Sequence, residues 1–269
     1  MNDLLRELAP VSAEAWGEIE AEAKRTLKAM LGARKLVDFQ GPLGWAAGAL
    51  SLGRVQPLKA PLQEKVQARL RKVQPLVELR VPFELAREEL EAAGRGAKDI
   101  ALDPVREAAR AAALAEDRAV FHGYAEAGIG GIVEASAKGR CAITEDYTKY
   151  LASVAEALHK LRAAGIGGPY AIALGPRCFT GLSKTLLGGF PALEQLRRLL
   201  DGPIVSAPAV DGAVLLSTRG GDFELTVGQD FSIGYLDHGA TSVRLYRQES
   251  MTFRVLSPEA AVPLAYASG

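Results

Sequence analysis

The residues best suited to chemistry are few, and their spacing does not collect them. His122, His159 and His238 fall in three separate stretches, and none has a second histidine four residues away to share a metal on one helix face. Cys141 and Cys178 stand far apart, without a CxxC pair or a neighbouring histidine, which speaks against structural zinc and against a dithiol redox couple. There is no GxSxG elbow, no Walker sequence and no HExxH pair. A site assembled from residues distant in sequence stays open. The run Ala127-Gly128-Ile129-Gly130-Gly131 nearly recurs as Ala164-Gly165-Ile166-Gly167-Gly168. A phosphate loop precedes a helix, so that free N–H groups face the anion. Both runs here follow helical patterns, and each is read as a helix C-cap and turn.

The elements that would position any site follow from periodicity. Ser12 caps an amphipathic helix running toward Gly32, with Trp16, Ile19, Ala23, Leu27, Met30 and Leu31 at three- and four-residue steps. Its apolar stripe fits either core packing or a docking surface. From Leu50 to Leu85 two extended segments flank a charged middle. The second segment alternates, with Val77, Leu79, Val81, Phe83 and Leu85 on one face. This reads as a protruding hairpin that packs on another element or another chain, or as an edge hairpin of the same domain. Asp103 and Pro104 open an Ala-rich helix expected to reach Ala127, and a second helix is expected between Asp146 and Ala164. From Pro169 short strands and helices alternate, with Tyr170 to Leu174 and Ala213 to Ser217 among them. Phe223 to Val227, Ser242 to Tyr246 and Thr252 to Leu256 read as strands. The turn Arg219-Gly220-Gly221-Asp222 leads into a Gly228-to-Tyr235 run unusually dense in glycine, acid and large apolar groups for a plain loop. The fold class is α+β.

The 32 basic residues balance the 32 acidic ones, so no global field draws the chain toward nucleic acid or an anionic membrane. With 48% hydrophobic residues over 269 positions a substantial core is expected, not disorder. Charges interrupt every apolar stretch before the roughly 20 residues that a membrane helix needs, and residues 1–10 lack a signal-peptide core. A reducing cytoplasm is the expected location.

Several blocks together resemble the encapsulin shell proteins, a family also known as linocin-type bacteriocins. They include Leu8-Ala9-Pro10, Gly32 to Asp38, Gly41-Pro42-Leu43-Gly44-Trp45, Gln74 to Arg80, Ala115-Glu116-Asp117, Gly167-Gly168-Pro169-Tyr170, Arg219 to Asp222, and Phe253-Arg254-Val255. Their order and spacing span nearly the whole chain. The resemblance implies the HK97-like major capsid fold of tailed phages. Its parts would be a peripheral domain over 1–47, 84–133 and 222–256, an extended loop over 48–83, and an axial domain over 134–221 and 257–269. It implies a non-enzymatic subunit that self-assembles into an icosahedral nanocompartment of roughly sixty copies, symmetry repeating each modest contact.

In such a shell, cargo proteins, typically ferritin-like iron oxidases or dye-decolourising peroxidases, dock by a terminal peptide on the inner surface. The matching positions for that peptide are Leu27, Arg34 and Asp38, with Asp230, Phe231 and Ile233. Apolar Leu27, Phe231 and Ile233 suit leucine-like anchors, while Arg34 and the aspartates suit polar groups. Arg34 and Asp38 could instead form a structural ion pair. The loop matched to the fivefold pore is Lys184, Thr185, Leu186, Leu187, Gly188, Gly189 and Phe190, and the pore is expected to pass small solutes. Some relatives bind flavin beside a tryptophan. Arg87 stands at that position here, so no cofactor is expected, and no metal. The alternatives are a phage or prophage capsid subunit and a bacteriolytic hydrolase.

Overall fold

In the computed structural model, which describes residues 3–60 and 62–267, the stretch after Ser12 forms helix α1 (Ala13–Met30). The Ser12 hydroxyl accepts the Ala15 N–H at 3.2 Å, satisfying one free donor at the helix start. Residues 1, 2, 61, 268 and 269, to which the expected domain bounds extend, lie outside the described residues.

A short strand β1 (Asp38–Gln40) is followed by β2 (Ala49–Pro57) and β3 (Arg69–Pro75), which pair antiparallel only with each other among the described residues. They make a separate two-stranded arm on which Val55, Leu58, Leu62, Leu70 and Val73 are exposed. A ribbon this thin is not stable by itself, so these side chains need cover from elsewhere. The alternating segment is not the second leg of this hairpin. It forms β4 (Val77–Ala86), which leaves the arm and joins a larger sheet.

Helix α2 (Arg87–Gly94) is followed by α3 (Asp103–His122), whose buried side is mostly alanine: Ala108, Ala109, Ala112 and Ala113. Small side chains let α1 and the sheet approach α3 closely. Asp103 lies inside the first turn, where it pairs with Arg106, and Leu102 holds the cap position. The helix stops at His122 and does not reach Ala127. Gly123 follows at φ +83°, and a Cβ there would sit 2.7 Å from the Ile129 carbonyl oxygen, so only glycine serves. Strands β5 (Gly123–Tyr124) and β6 (Ile129–Gly130) bracket a 3-10 turn. The first glycine run therefore follows that turn, not a long helix.

The chain continues through α4 (Ile132–Ala135), β7 (Cys141–Ile143) and α5 (Tyr150–Ala163), whose stripe buries Val154, Leu158 and Leu161 and which the second glycine run closes. After β8 (Tyr170–Leu174) come α6 (Pro176–Lys184), the short strands β9 (Leu186–Leu187) and β10 (Phe190–Pro191), and α7 (Ala192–Leu199). The last elements are β11 (Ile204–Ser206), β12 (Ala213–Ser217), β13 (Phe223–Val227), β14 (Ser232–His238), β15 (Ser242–Val255) and β16 (Ala261–Tyr266).

Two five-stranded sheets organise these elements. The first is built on β15, one 14-residue strand where alternation suggested two. Along one edge β14 and then β13 pair with it antiparallel, β1 adds parallel to β13, and β4 covers the other edge from Ala86 to Val77. The second sheet has the order β11-β8-β12-β16-β7. All five residues of β8 and all five of β12 are buried, so both faces of the sheet are covered there, which is why these strands read as unbroken apolar runs. Helices α1 and α3 pack on each other beside the first sheet, and the space between α1 and the start of β14 is left open.

Candidate functional site

That open space is a groove of about 570 Å³. One wall is a single face of α1, where Glu20, Ala23, Lys24, Leu27, Lys28 and Leu31 recur at helical spacing. The other wall is Asp230, Phe231, Ser232 and Ile233, with Arg34 and Arg247 at the base. Leu27 and Leu31 pack on Ala109 and Ala113 of α3, with Phe231 against them, so the apolar floor is part of the core and is held rigid. Arg6 reaches across to Glu20 at 2.5 Å and lies 4.1 Å from the Trp16 ring centroid, closing one end.

Arg34 is the most constrained side chain in the groove. It donates to Glu116 through Nε at 3.0 and 2.8 Å and through a terminal nitrogen at 2.6 Å. It also meets Glu249 at 2.5 Å and Asp230 at 2.9 Å. Its guanidinium lies 4.8 Å from the Phe231 ring centroid and 5.0 Å from that of Phe39. Burial disfavours the cation, but the hydrogen bonds and charge of Glu116, with Glu249 and Asp230, outweigh it and hold Arg34 above the ordinary guanidinium range.

The backbone carrying Arg34 is fixed from the same helix. Asp117, next to Glu116, accepts the Gly32 and Ala33 N–H groups at 2.9 and 3.0 Å. Burial raises the Asp117 carboxyl to about 6, against the pull of those two N–H groups. Glu249 is fully buried with Oε2 unpartnered, and burial, then the charge of Glu116, push its carboxyl well up.

Leu27, Arg34, Asp230, Phe231 and Ile233 thus border one groove. Asp38 does not. It lies in an adjoining small cavity, with Lys35 and Ser217, that shares only Arg34 with the groove, and its Oδ2 accepts the Gly221 N–H at 2.6 Å. Nor do Arg34 and Asp38 pair: the ion-pair partners of Arg34 among the described residues are Glu116, Asp230 and Glu249. Sequence reasoning gave no role to Glu116, Asp117, Arg247 or Glu249. Two adjacent acids on the apolar side of an alanine-rich helix were the one available signal, because residues so rarely buried without partners imply a buried cation.

Of the loop expected from Lys184 to Phe190, Lys184 ends α6 and Thr185 caps it, and the rest is the β9–β10 hairpin, turned by Gly188 and Gly189 at φ +58° and +85°, the pair of left-handed residues that a two-residue hairpin requires. Leu186 and Phe190 are exposed on it.

The remaining reactive groups are restrained. Burial pushes the thiols of Cys141 and Cys178 up, away from the thiolate form that nucleophilic catalysis needs. His122 hydrogen-bonds the Ala209 carbonyl at 2.9 Å, and His238 bonds the Tyr235 hydroxyl at 2.5 Å. Among the described residues no three His, Cys, Asp or Glu side chains gather as a metal site would require. No helix among them is long and apolar enough to cross a membrane.

Comparison with known proteins decides the family. Residues 1–252 match the family model described as "encapsulating protein for peroxidase". The type 1 encapsulin shell protein of Rhodospirillum rubrum is 58% identical over 98% of this chain and 96% of its own length. The chain belongs to the type 1 encapsulin shell proteins. Other encapsulins, from Rhodococcus erythropolis and Mycobacterium tuberculosis, are 48% and 46% identical over 98% and 99% of the chain and the whole of each relative. In structure, the virus-like particle of Pyrococcus furiosus superposes with a TM-score of 0.64 at 15% identity, covering 91% of this chain and 97% of that one. The capsid of Mycobacterium phage Cain superposes at 0.51, also at 15% identity, over 91% and 90%. These likenesses fix the HK97-like capsid fold, while the close sequence relatives place the chain with encapsulins and not with phage capsids or hydrolases. This encapsulin is a structural subunit that self-assembles into a closed shell, and its relatives are shell components, not enzymes.

Proposed function

We propose that each subunit holds a cargo protein by a short terminal peptide laid in the groove between α1 and the Asp230-to-Ile233 segment. One observation carries this reading: an apolar floor built from Leu27, Leu31, Phe231 and Ile233 stays open beside an arginine locked by three carboxylates. Apolar pockets with a few fixed polar groups suit a peptide whose side chains anchor and whose main chain must be hydrogen-bonded. The cargo is a peroxidase, the class that the family description names, or a ferritin-like protein. We further propose a shell of roughly sixty copies in the cytoplasm, with the Gly188-Gly189 hairpin lining the fivefold pore, so that exposed Leu186 and Phe190 and the turn carbonyls meet passing solutes. No flavin is proposed. Arg87, first residue of α2, pairs with Glu91 and offers no ring face for stacking.

Phe231→Asp and Arg34→Glu test the groove. Both variants are expected to assemble but to lose cargo on co-expression, read as cargo co-eluting with the shell. Wild-type loading by both would place the docking site elsewhere.

A further inference from the structure

Arg247 is the polar group of the groove that the fold leaves unmatched. It lies on β15 opposite Ile233, borders the groove, and is 5% exposed. Among the described residues its guanidinium has no hydrogen-bond or ion-pair partner. Nε is buried without an acceptor, and the ring of Phe231 lies 5.4 Å away. Arg34, which lies against the same ring, is held by three acidic side chains. Burial lowers the Arg247 guanidinium to about 10, against the support of the Asp230 and Glu249 charges. A guanidinium carries five donors and no acceptor, and sealing such donors without partners is costly. The arrangement makes sense when an occupant of the groove brings the acceptors.

The local charges identify what kind of acceptor. At the base, Arg34 and Arg247 contribute two positive charges and Glu116, Asp230 and Glu249 up to three negative ones, while Arg6, Glu20, Lys24 and Lys28 stand at the more exposed rim, where water screens them. Burial opposes ionisation of Glu249, but with or without its charge the carboxylates at the base already match or outnumber the two guanidinium groups. An incoming carboxylate would add negative charge to a buried cluster that has no cation to spare. Neutral acceptors in a row would not, and an extended peptide supplies them as main-chain carbonyls.

We propose that Arg247 grips the main chain of the groove's occupant, its guanidinium donating to carbonyl oxygens of an extended peptide while Leu27, Phe231 and Ile233 receive the side chains. This rests on the groove being the cargo-peptide site. It divides the labour of recognition: Arg247 sets register and direction without reading sequence, and the apolar floor selects the residues.

The test co-expresses the full-length shell protein with a green fluorescent protein ending in Gly-Leu-Gly-Ile-Gly-Leu, a tail with two-residue spacing and no acidic side chain. Expression is kept below saturation, and fluorescence per shell is read in the particle fraction. Arg247→Met is expected to lower loading at least about tenfold, the scale of a lost hydrogen bond to a charged donor. Arg247→Lys keeps the charge but not the fork, and is expected to lose most of the loading too; it decides the matter if the methionine variant does not assemble. Four residues, Gly-Ser-Gly-Ser, appended after the tail are expected to change nothing, because they move only the terminal carboxylate. Loss of loading on that extension would mean that a carboxylate is read, and would overturn the carbonyl assignment. Wild-type loading by assembled Arg247 variants, with loading abolished by Phe231→Asp, would overturn the role of Arg247 and leave the groove standing. No loading of wild-type shells, or loading indifferent to Phe231→Asp, would overturn the groove reading and this one with it.

Discussion

Glu116 and Glu249 both reach Arg34, yet replacing each with glutamine is expected to have different consequences. Glu116 accepts three hydrogen bonds from Arg34 through two oxygens. Glutamine has one carbonyl oxygen and an NH2 group that would face the guanidinium, so Glu116→Gln removes one acceptor, turns another neutral and sets donor against donor. Hydrogen bonds to charged groups contribute about 1.5–3 kcal/mol and neutral ones about 1. The structure therefore assigns Glu116→Gln a loss of about 2–4 kcal/mol per subunit, moderated by Glu249 and Asp230, which still hold the cation. Glu249 accepts one bond at 2.5 Å and leaves Oε2 without a partner, and burial opposes its ionisation. A glutamine keeps one acceptor for Arg34, removes a charge that burial disfavours, and puts an NH2 group where the second oxygen had no partner. Glu249→Gln is expected to change stability by about 1 kcal/mol or less, in either direction. The assay is guanidinium denaturation of purified shells at one fixed protein concentration, since assembly and folding are linked, with each variant's midpoint compared with the wild type's. Equal losses, or a larger loss for Glu249→Gln, would refute the assignment of Glu116 as the principal partner of Arg34.

Three further outcomes follow from the same structure. Asp117 has a folded-state value of about 6 against an ordinary 3.8, so the folded chain holds this proton more tightly than the unfolded one. Its contribution is fully present below pH 3.8 and is lost as pH rises through about 6. It amounts to about 3 kcal/mol in full, of which about 1.3 kcal/mol falls between pH 5 and pH 7, and Asp117→Asn should remove that part in a comparison of denaturation midpoints at those two pH values. A wild-type-minus-variant difference that does not change with pH would contradict it. Gly123→Ala places a Cβ 2.7 Å from the Ile129 oxygen at φ +83° and should abolish recovery of assembled shells, whereas Gly17→Ala, with open space around it, should assemble normally. Replacing residues 52–72 of the arm with a short Gly-Ser turn should leave subunit circular dichroism near wild type but stop closure of the shell, because Val55, Leu58, Leu62 and Leu70 would no longer find cover between chains; particles of normal size would contradict this.

The helices and the buried strands were legible because their periodicity is local. Ser12 before the stripe Ile19, Ala23 and Leu27 announced α1, and the apolar runs Tyr170–Leu174 and Ala213–Ser217 announced the strands β8 and β12, whose cover on both faces the fold then showed. Where tertiary contact decides, sequence misled. Val77 to Leu85 alternates as any strand with one wet face does, and nothing in it says that its partner is β15 and not the neighbouring leg of the hairpin. The interval between the expected strands Ser242–Tyr246 and Thr252–Leu256 carries the polar Arg247, Gln248 and Glu249, and no element is read there. It is buried strand because Arg34 and the groove residues surround it. The end of α3 depended on a clash across space at Gly123, invisible in an alanine-rich pattern that could have continued. At the groove, the apolar members and Arg34 were accessible through family resemblance, while Glu116 and Glu249, 82 and 215 residues from Arg34, become neighbours only in the fold. Asp38, adjacent in sequence, points instead to the Gly221 turn.

The central claim is that this chain closes into a shell by itself. The direct measurement is the mass of the protein expressed alone, by mass photometry with negative-stain imaging. A single population of closed, megadalton icosahedral particles is predicted. A stable monomer or dimer, or open sheets and tubes without closed particles, would contradict it.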